Sequence, residues 1–76
     1  MNPNHEELVS LTQIRMPFGK YKDRIIADLP VSYLEWFARN GFPKGKLGNQ
    51  LQLLHVIKTN GLNHLIDGLK AVNNAG

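Results

Sequence analysis

Apolar and polar residues alternate along residues 14–18, as they do in a half-buried β-strand. A return strand is predicted at residues 24–27, after a turn at residues 20–23. Pro17 has no N–H group for a sheet ladder, so we expect the first strand to lie at an edge. The pattern therefore predicts a β-hairpin, in which Asp23 takes the left-handed conformation that closes the turn.

Four further segments carry the spacing of apolar residues that is typical of helices with one buried face. They are residues 4–12, 30–40, about 47–59 and 63–72. The second and third of them end at Asn-Gly pairs, which favour helix termination. Gly48 lowers the helix propensity of the third segment, so we expect it to mark the close approach of a neighbouring segment.

Together these elements predict an α+β fold, in which a two-stranded antiparallel β-hairpin packs on a small bundle of three helices plus a short N-terminal helix. An isolated hairpin is marginal in water, so its apolar face must lie on the helices. The 76 residues, 1–76, are expected to form a single small domain. The side chains expected in the core are Leu29, Leu34, Phe37, Leu51, Leu54, Leu65 and Leu69.

The composition is that of a globular protein, because 42% of the residues are hydrophobic and 20% are charged. The sequence has no cysteine, which excludes disulfides and thiolate chemistry and fits the cytoplasm. The N-terminus lacks the apolar core of a signal peptide. No apolar run approaches the roughly 18 residues that a membrane span requires. We therefore expect a cytoplasmic protein that makes no contact with a membrane.

Positive charge is concentrated in two segments. The formal net charge is +3, and residues 14–27 and 41–60 each carry a net charge of +3 that acidic residues elsewhere partly offset. If the two loops in these segments lie on one side of the protein, they form a patch that suits phosphate groups. Alternatively, the charged side chains are solvated and keep a small protein soluble.

An aromatic ring among several cations is typical of surfaces that bind nucleic acid without reading its sequence. Tyr21 lies among the cations of the predicted hairpin turn, unless its ring folds back over the sheet. Lys44 and Lys46 precede the third helix, whose first N–H groups can hold an anion. Tyr33 and Trp36 are expected to pack in the core. The candidate nucleic-acid-binding residues are Arg15, Lys20, Tyr21, Lys22, Arg24, Lys44 and Lys46.

No pattern typical of a catalytic or metal site is visible. His5, His55 and His64 lack the spacing of metal ligands. Residues 41–47 resemble a phosphate-binding loop, but the glycines are too close together and Leu47 stands where a Ser or Thr would hold magnesium. We therefore predict no catalytic residues, no metal, no cofactor and no enzymatic activity.

Several short motifs resemble those of a known family. They include Met-Pro-Phe-Gly-Lys-Tyr-Lys at residues 16–22, Asp-Leu-Pro at 28–30 and Tyr-Leu-x-Trp-Phe at 33–37. Over about residues 10–62 the chain resembles a small bacterial family of unknown function, labelled putative quorum-sensing-regulated virulence factor. The first motif is also similar to a C-terminal hairpin of DnaQ-like exonucleases resembling exonuclease X, where it lies beside a nuclease domain. Both patterns usually have glycine at the position of Asp23, which here adds a negative charge to the loop.

Two functions fit these observations. The first is a non-enzymatic nucleic-acid-binding or nucleic-acid-associated module, in which the basic hairpin contacts the backbone of DNA or RNA; the resemblance to an exonuclease appendage favours it. The alternative is a protein–protein interaction or regulatory module, related to virulence as the family label implies. In that case the edge strand with Pro17, or apolar residues on both sides of the third helix, would meet a protein partner or a second copy of the chain.

Overall fold

The computed structural model describes residues 4–75, and the side chains of residues 4–69. Within these residues the chain forms four α-helices and one turn of 3₁₀ helix. None of the helices in this part of the chain is both long enough and apolar enough to cross a membrane. In chain order the elements are α1 (His5–Leu11), the 3₁₀ helix (Ile26–Asp28), α2 (Val31–Asn40), α3 (Lys46–Thr59) and α4 (His64–Ala75).

The helices lie where the apolar spacing predicts them, and their ends have local causes. α1 begins after Asn4, whose side-chain oxygen accepts a hydrogen bond of 2.7 Å from the Glu7 N–H group. α2 is followed by Gly41 with a φ of 105°, a conformation that residues with a Cβ rarely adopt. α3 is followed by Asn60 and then by Gly61 with a φ of 70°. α4 continues beyond its predicted end at residue 72.

The predicted β-hairpin is wrong. In the part of the chain that the structure describes there is no β-strand, so the fold is helical and not α+β. The two predicted arms meet only in one isolated antiparallel bridge, between Arg15 and Ile25. Beside it, the Met16 N–H donates to the Arg24 carbonyl oxygen at 2.8 Å, and the Asp23 N–H donates to the Met16 carbonyl oxygen at 2.7 Å. The reversal of chain direction is therefore present without a sheet.

Backbone turns on both arms stop the bridge from growing into a ladder. Pro17 follows directly on the first arm and cannot donate a ladder hydrogen bond. Gly19 has a φ of 79° and Asp23 a φ of 70°. Residues 18–24, which include both, fold into successive turns. On the second arm the chain enters the 3₁₀ helix at Ile26. The left-handed conformation predicted for Asp23 is confirmed. We call residues 18–24 the basic loop.

The core lies around α3, which packs against α1, α2 and the 3₁₀ helix, while α1 also packs against α4. Five of the seven residues predicted for the core are buried, whereas Leu65 and Leu69 are half-buried and Ile66 takes the buried position of α4. Met16 is fully buried and anchors the base of the basic loop on this core. The buried apolar residues are Leu11, Met16, Ile26, Ala27, Leu29, Leu34, Phe37, Leu51, Leu54, Ile57 and Ile66.

Candidate functional site

A groove lies between the basic loop and the first turns of α2, and it contains a cavity of about 530 Å³. Its two walls have fixed positions, because Met16 before the loop and Phe37 in α2 are both buried in the core. We call it the aromatic groove. Its lining residues are Phe18, Gly19, Lys20, Tyr21, Ser32, Tyr33, Trp36 and Phe37.

Edge-to-face contacts join the aromatic rings of the groove to one another. The ring centroids of Tyr21 and Tyr33 are 4.7 Å apart. Those of Tyr33 and Phe37 are 5.0 Å apart, and those of Trp36 and Phe37 are 5.3 Å apart. Each pair of this kind adds about 0.5–1.5 kcal/mol beyond the burial of its surface. Because Phe37 is buried, these contacts connect the rings of Tyr21, Tyr33 and Trp36 to the core.

Two large apolar rings of the groove remain open to solvent. Phe18 is 44% exposed and Trp36 is 50% exposed, so the prediction that Trp36 packs in the core is wrong. The reason lies in α2, where Trp36 shares a face with Ser32 and Asn40, four residues away on either side, and both are exposed. That polar context was a usable sequence signal for Trp36. The exposure of Phe18 depends on how the loop turns, and no sequence pattern indicates it.

Positive side chains stand at the loop side of the groove. The Lys20 Nζ atom lies 5.6 Å from the centre of the Tyr21 ring, and the Arg24 guanidinium carbon lies 5.7 Å from the same point. These distances are within the range of a cation–π interaction. Lys20, Lys22 and Arg24 are all exposed. The structure thus brings three of the seven candidate residues into contact, namely Lys20, Arg24 and the half-buried Tyr21, whereas Lys22 is a neighbour of Tyr21 only in the chain.

Arg15 has a contact within the loop. Its Nη1 atom donates a hydrogen bond of 2.7 Å to the carbonyl oxygen of Asp23. This bond ties the first arm of the chain reversal to the turn that Asp23 closes. The carboxylate of Asp23 is exposed between Lys22 and Arg24, where it reduces the positive potential of the loop.

The Tyr33 hydroxyl group lies against the loop backbone at Gly19. A Cβ atom at Gly19 would be only 3.0 Å from this oxygen, and Gly19 also has a positive φ. Burial, and secondly the neighbouring Tyr21, raise the pKa of the Tyr33 phenol above its ordinary value of 10.0. The phenol is therefore neutral at physiological pH and adds no negative charge to the groove.

Lys44 and Lys46 do not line the aromatic groove. Lys46 lines a second cavity of about 400 Å³, between the start of α1 and the start of α3, together with Glu6 and Glu7. The two cavities have no lining residue in common. Lys44 is exposed in the connector between α2 and α3 and lines neither of them. Of the positive side chains predicted to form one patch, Lys20 and Lys46 therefore line different cavities.

The histidine side chains are not grouped with other metal ligands. Among the side chains that the structure describes, no three His, Cys, Asp or Glu residues are close enough together to hold a metal ion. The His55 ring instead lies 6.1 Å from the ring of Phe42, which stacks at 6.0 Å on the buried Phe37. The absence of a metal, a cofactor and catalytic residues remains a prediction from the sequence.

Comparison with known proteins supports the family resemblance. A family described as "putative quorum-sensing-regulated virulence factor" matches residues 4–69, which include the whole aromatic groove. The chain belongs to this family. The resemblance drawn from the sequence motifs is thereby confirmed, whereas the similarity to DnaQ-like exonucleases is not shown. The description of the family names no biochemical activity.

The chain is also similar to two curated relatives. The chain is similar to the uncharacterized protein YpeB of Escherichia coli strain K12, with 52% identity over 66 residues, which is 86% of this chain and 92% of the relative. The uncharacterized protein YpeB of Escherichia coli O157:H7 gives the same values. No solved structure matches the chain significantly.

Proposed function

We propose that this family member is a non-enzymatic nucleic-acid-binding module, and that the basic loop contacts the phosphate backbone. The observation that carries the proposal is the position of Lys20 and Arg24, which lie 5.6 and 5.7 Å from the same Tyr21 ring at the edge of an open groove. Contacts of Lys and Arg with phosphates give most of the affinity in binding that does not depend on sequence.

The ring contacts give the Tyr21 ring of the basic loop a defined position. Tyr21 is held by Tyr33, which in turn is held by the buried Phe37, so the ring that both cations approach has a defined place. Cations with a defined place lose less conformational entropy on binding than freely rotating side chains. The fold therefore presents Lys20 and Arg24 as a pair.

The proposal covers a smaller set of residues than the sequence predicts. Lys46 shares its cavity with Glu6 and Glu7, whose negative charges repel a phosphate. Arg15 has a hydrogen bond to the Asp23 carbonyl oxygen. We accordingly expect Lys20, Lys22 and Arg24 to make the phosphate contacts, and we expect Lys44 and Lys46 to contribute only through the net charge.

The test is a fluorescence-anisotropy titration of labelled single-stranded and duplex oligonucleotides at several salt concentrations. Three phosphate contacts predict that the logarithm of the affinity falls against the logarithm of the salt concentration with a slope of roughly −2 to −3. Binding that does not change with salt, or the absence of binding at low salt, would refute the proposal. The absence of binding would favour the protein-interaction alternative, although the edge strand expected to serve it does not form.

A pair of double variants separates the loop from the overall charge. Lys20→Glu/Lys22→Glu and Lys44→Glu/Lys46→Glu both change the formal net charge from +3 to −1. Thermal unfolding first establishes that both variants are folded. We then expect Lys20→Glu/Lys22→Glu to lose binding and Lys44→Glu/Lys46→Glu to retain most of it. Equal losses would show that affinity follows net charge alone, which contradicts a site at the basic loop.

A further inference from the structure

Resting on the proposed function, we infer that the aromatic groove takes an unpaired base, which stacks on Trp36, so that the ligand is single-stranded nucleic acid. Nothing in the sequence motifs or in the relatives assigns a role to Trp36 or Phe18. The inference adds a base-binding site to the phosphate contacts and restricts the class of ligand.

Exposed rings are the first argument. Phe18 and Trp36 are 44% and 50% exposed and both line the groove, in a protein small enough to need its large apolar side chains in the core. Trp36 makes an edge-to-face contact with the buried Phe37, with the ring centroids 5.3 Å apart. A half-exposed indole that is joined to the core in this way offers an aromatic surface of the kind on which bases stack.

The shape of the groove is the second argument. A cavity of about 530 Å³ lies within the roughly 300–1,000 Å³ that is typical of small-ligand sites, which is room for a base. In a duplex the faces of all but the terminal bases are covered by their neighbours, so a base from within a strand can enter with its face free only when it is unpaired.

Charge is the third argument, and it distinguishes a nucleotide from an apolar peptide. Lys20 lines the cavity itself, and Arg24 lies against the Tyr21 ring, so a base in the groove leaves its phosphate beside positive charge. The polar groups among the lining side chains, apart from Lys20, are the hydroxyl groups of Tyr21, Ser32 and Tyr33 and the indole N–H group of Trp36. Such a small set discriminates poorly among base edges, so we expect purines to bind more tightly than pyrimidines through stacking area alone.

The chain contains a direct reporter of this event. Trp36 is the only tryptophan, so a change in intrinsic fluorescence reports its own environment. The probes are an oligodeoxyadenylate of about 12 nucleotides, an abasic phosphodiester of the same length, and a duplex of the same length. We expect the oligodeoxyadenylate to quench the emission and to bind roughly tenfold more tightly than the abasic strand, which has the same charge but nothing to stack. The duplex should bind without quenching.

Variants test the same point from the side of the protein. Trp36→Leu should lower the affinity for the oligodeoxyadenylate roughly tenfold, to that for the abasic strand, while Trp36→Phe should retain part of the difference. Val56→Ala is the matched control, because Val56 is also 50% exposed but lines neither cavity, and its binding should be unchanged.

The two proposals fail in different ways. If the abasic strand and the oligodeoxyadenylate bind the unaltered protein equally and neither quenches Trp36, the base site is refuted, even where Lys20→Glu/Lys22→Glu still abolishes binding. If no oligonucleotide binds at low salt, both proposals are refuted. The abasic comparison uses the unaltered chain, so it decides the matter even where a Trp36 variant fails to fold.

Discussion

Replacing Gly48 with alanine tests how closely the connector between α2 and α3 packs on α3. Gly48 is buried in the first turn of α3, and a Cβ atom there would overlap the carbonyl oxygen of Pro43 and lie 2.7 Å from its carbonyl carbon. The obstacle is backbone, which cannot rotate away as a side chain can. The connector also has little freedom to retreat, because Phe42 packs on the core and stacks on Phe37.

Two opposing effects set the size of the change. In an open helix interior, alanine is favoured over glycine by about 1 kcal/mol. Extra volume in a well-packed region costs about 1–3 kcal/mol. Because the clash is with an anchored backbone, we take the upper end of that range, which leaves Gly48→Ala about 2 kcal/mol less stable than the parent. For a domain of this size that loss lowers the melting temperature by about 10 °C.

The assay is urea unfolding followed by far-UV circular dichroism, with Gly68→Ala as the matched control. Gly68 is also a helical glycine, in α4, but it is exposed and a Cβ atom there meets nothing within 4 Å. Gly68→Ala should therefore be more stable than the parent by about 0.5–1 kcal/mol. If Gly48→Ala is stabilised to the same extent, the close contact with Pro43 does not exist and the reasoning is refuted.

Two further predictions concern the groove. Asp23→Gly should have a free energy of unfolding within about 0.5 kcal/mol of the parent's. Glycine relieves the strain of the left-handed backbone at φ 70°, but it also makes the unfolded chain more flexible, and the two effects offset each other. Since it also removes a negative charge from the basic loop, it should raise oligonucleotide affinity about threefold in low salt, and an unchanged affinity would contradict a binding site there. For Tyr33, the raised pKa means that the native protein holds the phenolic proton more tightly than the unfolded chain. This stabilisation is complete below pH 10 and is lost as the pH rises through the native pKa. In urea titrations above pH 10, the free energy of unfolding should therefore fall more steeply with pH for the parent than for Tyr33→Phe. Identical pH profiles would exclude Tyr33 as the cause.

Much of the helical structure could be predicted from the sequence because its causes are local. The cap at Asn4 and the glycines at 41 and 61 act within a few residues of the helix ends that they define. The apolar spacing within α2 and α3 likewise indicates which side chains are buried, and Leu34 and Leu51 are fully buried as expected. The predictions for Leu65 and Leu69 were less accurate, because both side chains are only half-buried. Which position of α4 is buried depends on the side of the helix that α1 covers.

The candidate site could be predicted only in part. Proximity in the chain was enough to group Lys20, Tyr21 and Arg24, since they belong to one short loop. Proximity in the chain could not show whether Lys46 lies near these residues, because the relative position of two loops depends on how the helices between them pack. The position of Trp36 in the groove was not predicted for a related reason, since its ring lines the groove only where the loop folds against α2.

By itself, the sequence determined the four helices, most of the core and the family to which the chain belongs. The tertiary structure alone decided that the alternating residues 14–18 form one bridge instead of a strand, and that the basic loop meets α2 in an aromatic groove. Helix formation depends on hydrogen bonds and caps between residues three or four apart, which a sequence displays directly. Strand pairing and grooves depend on contacts between distant segments, which form only when the core has set the positions of those segments.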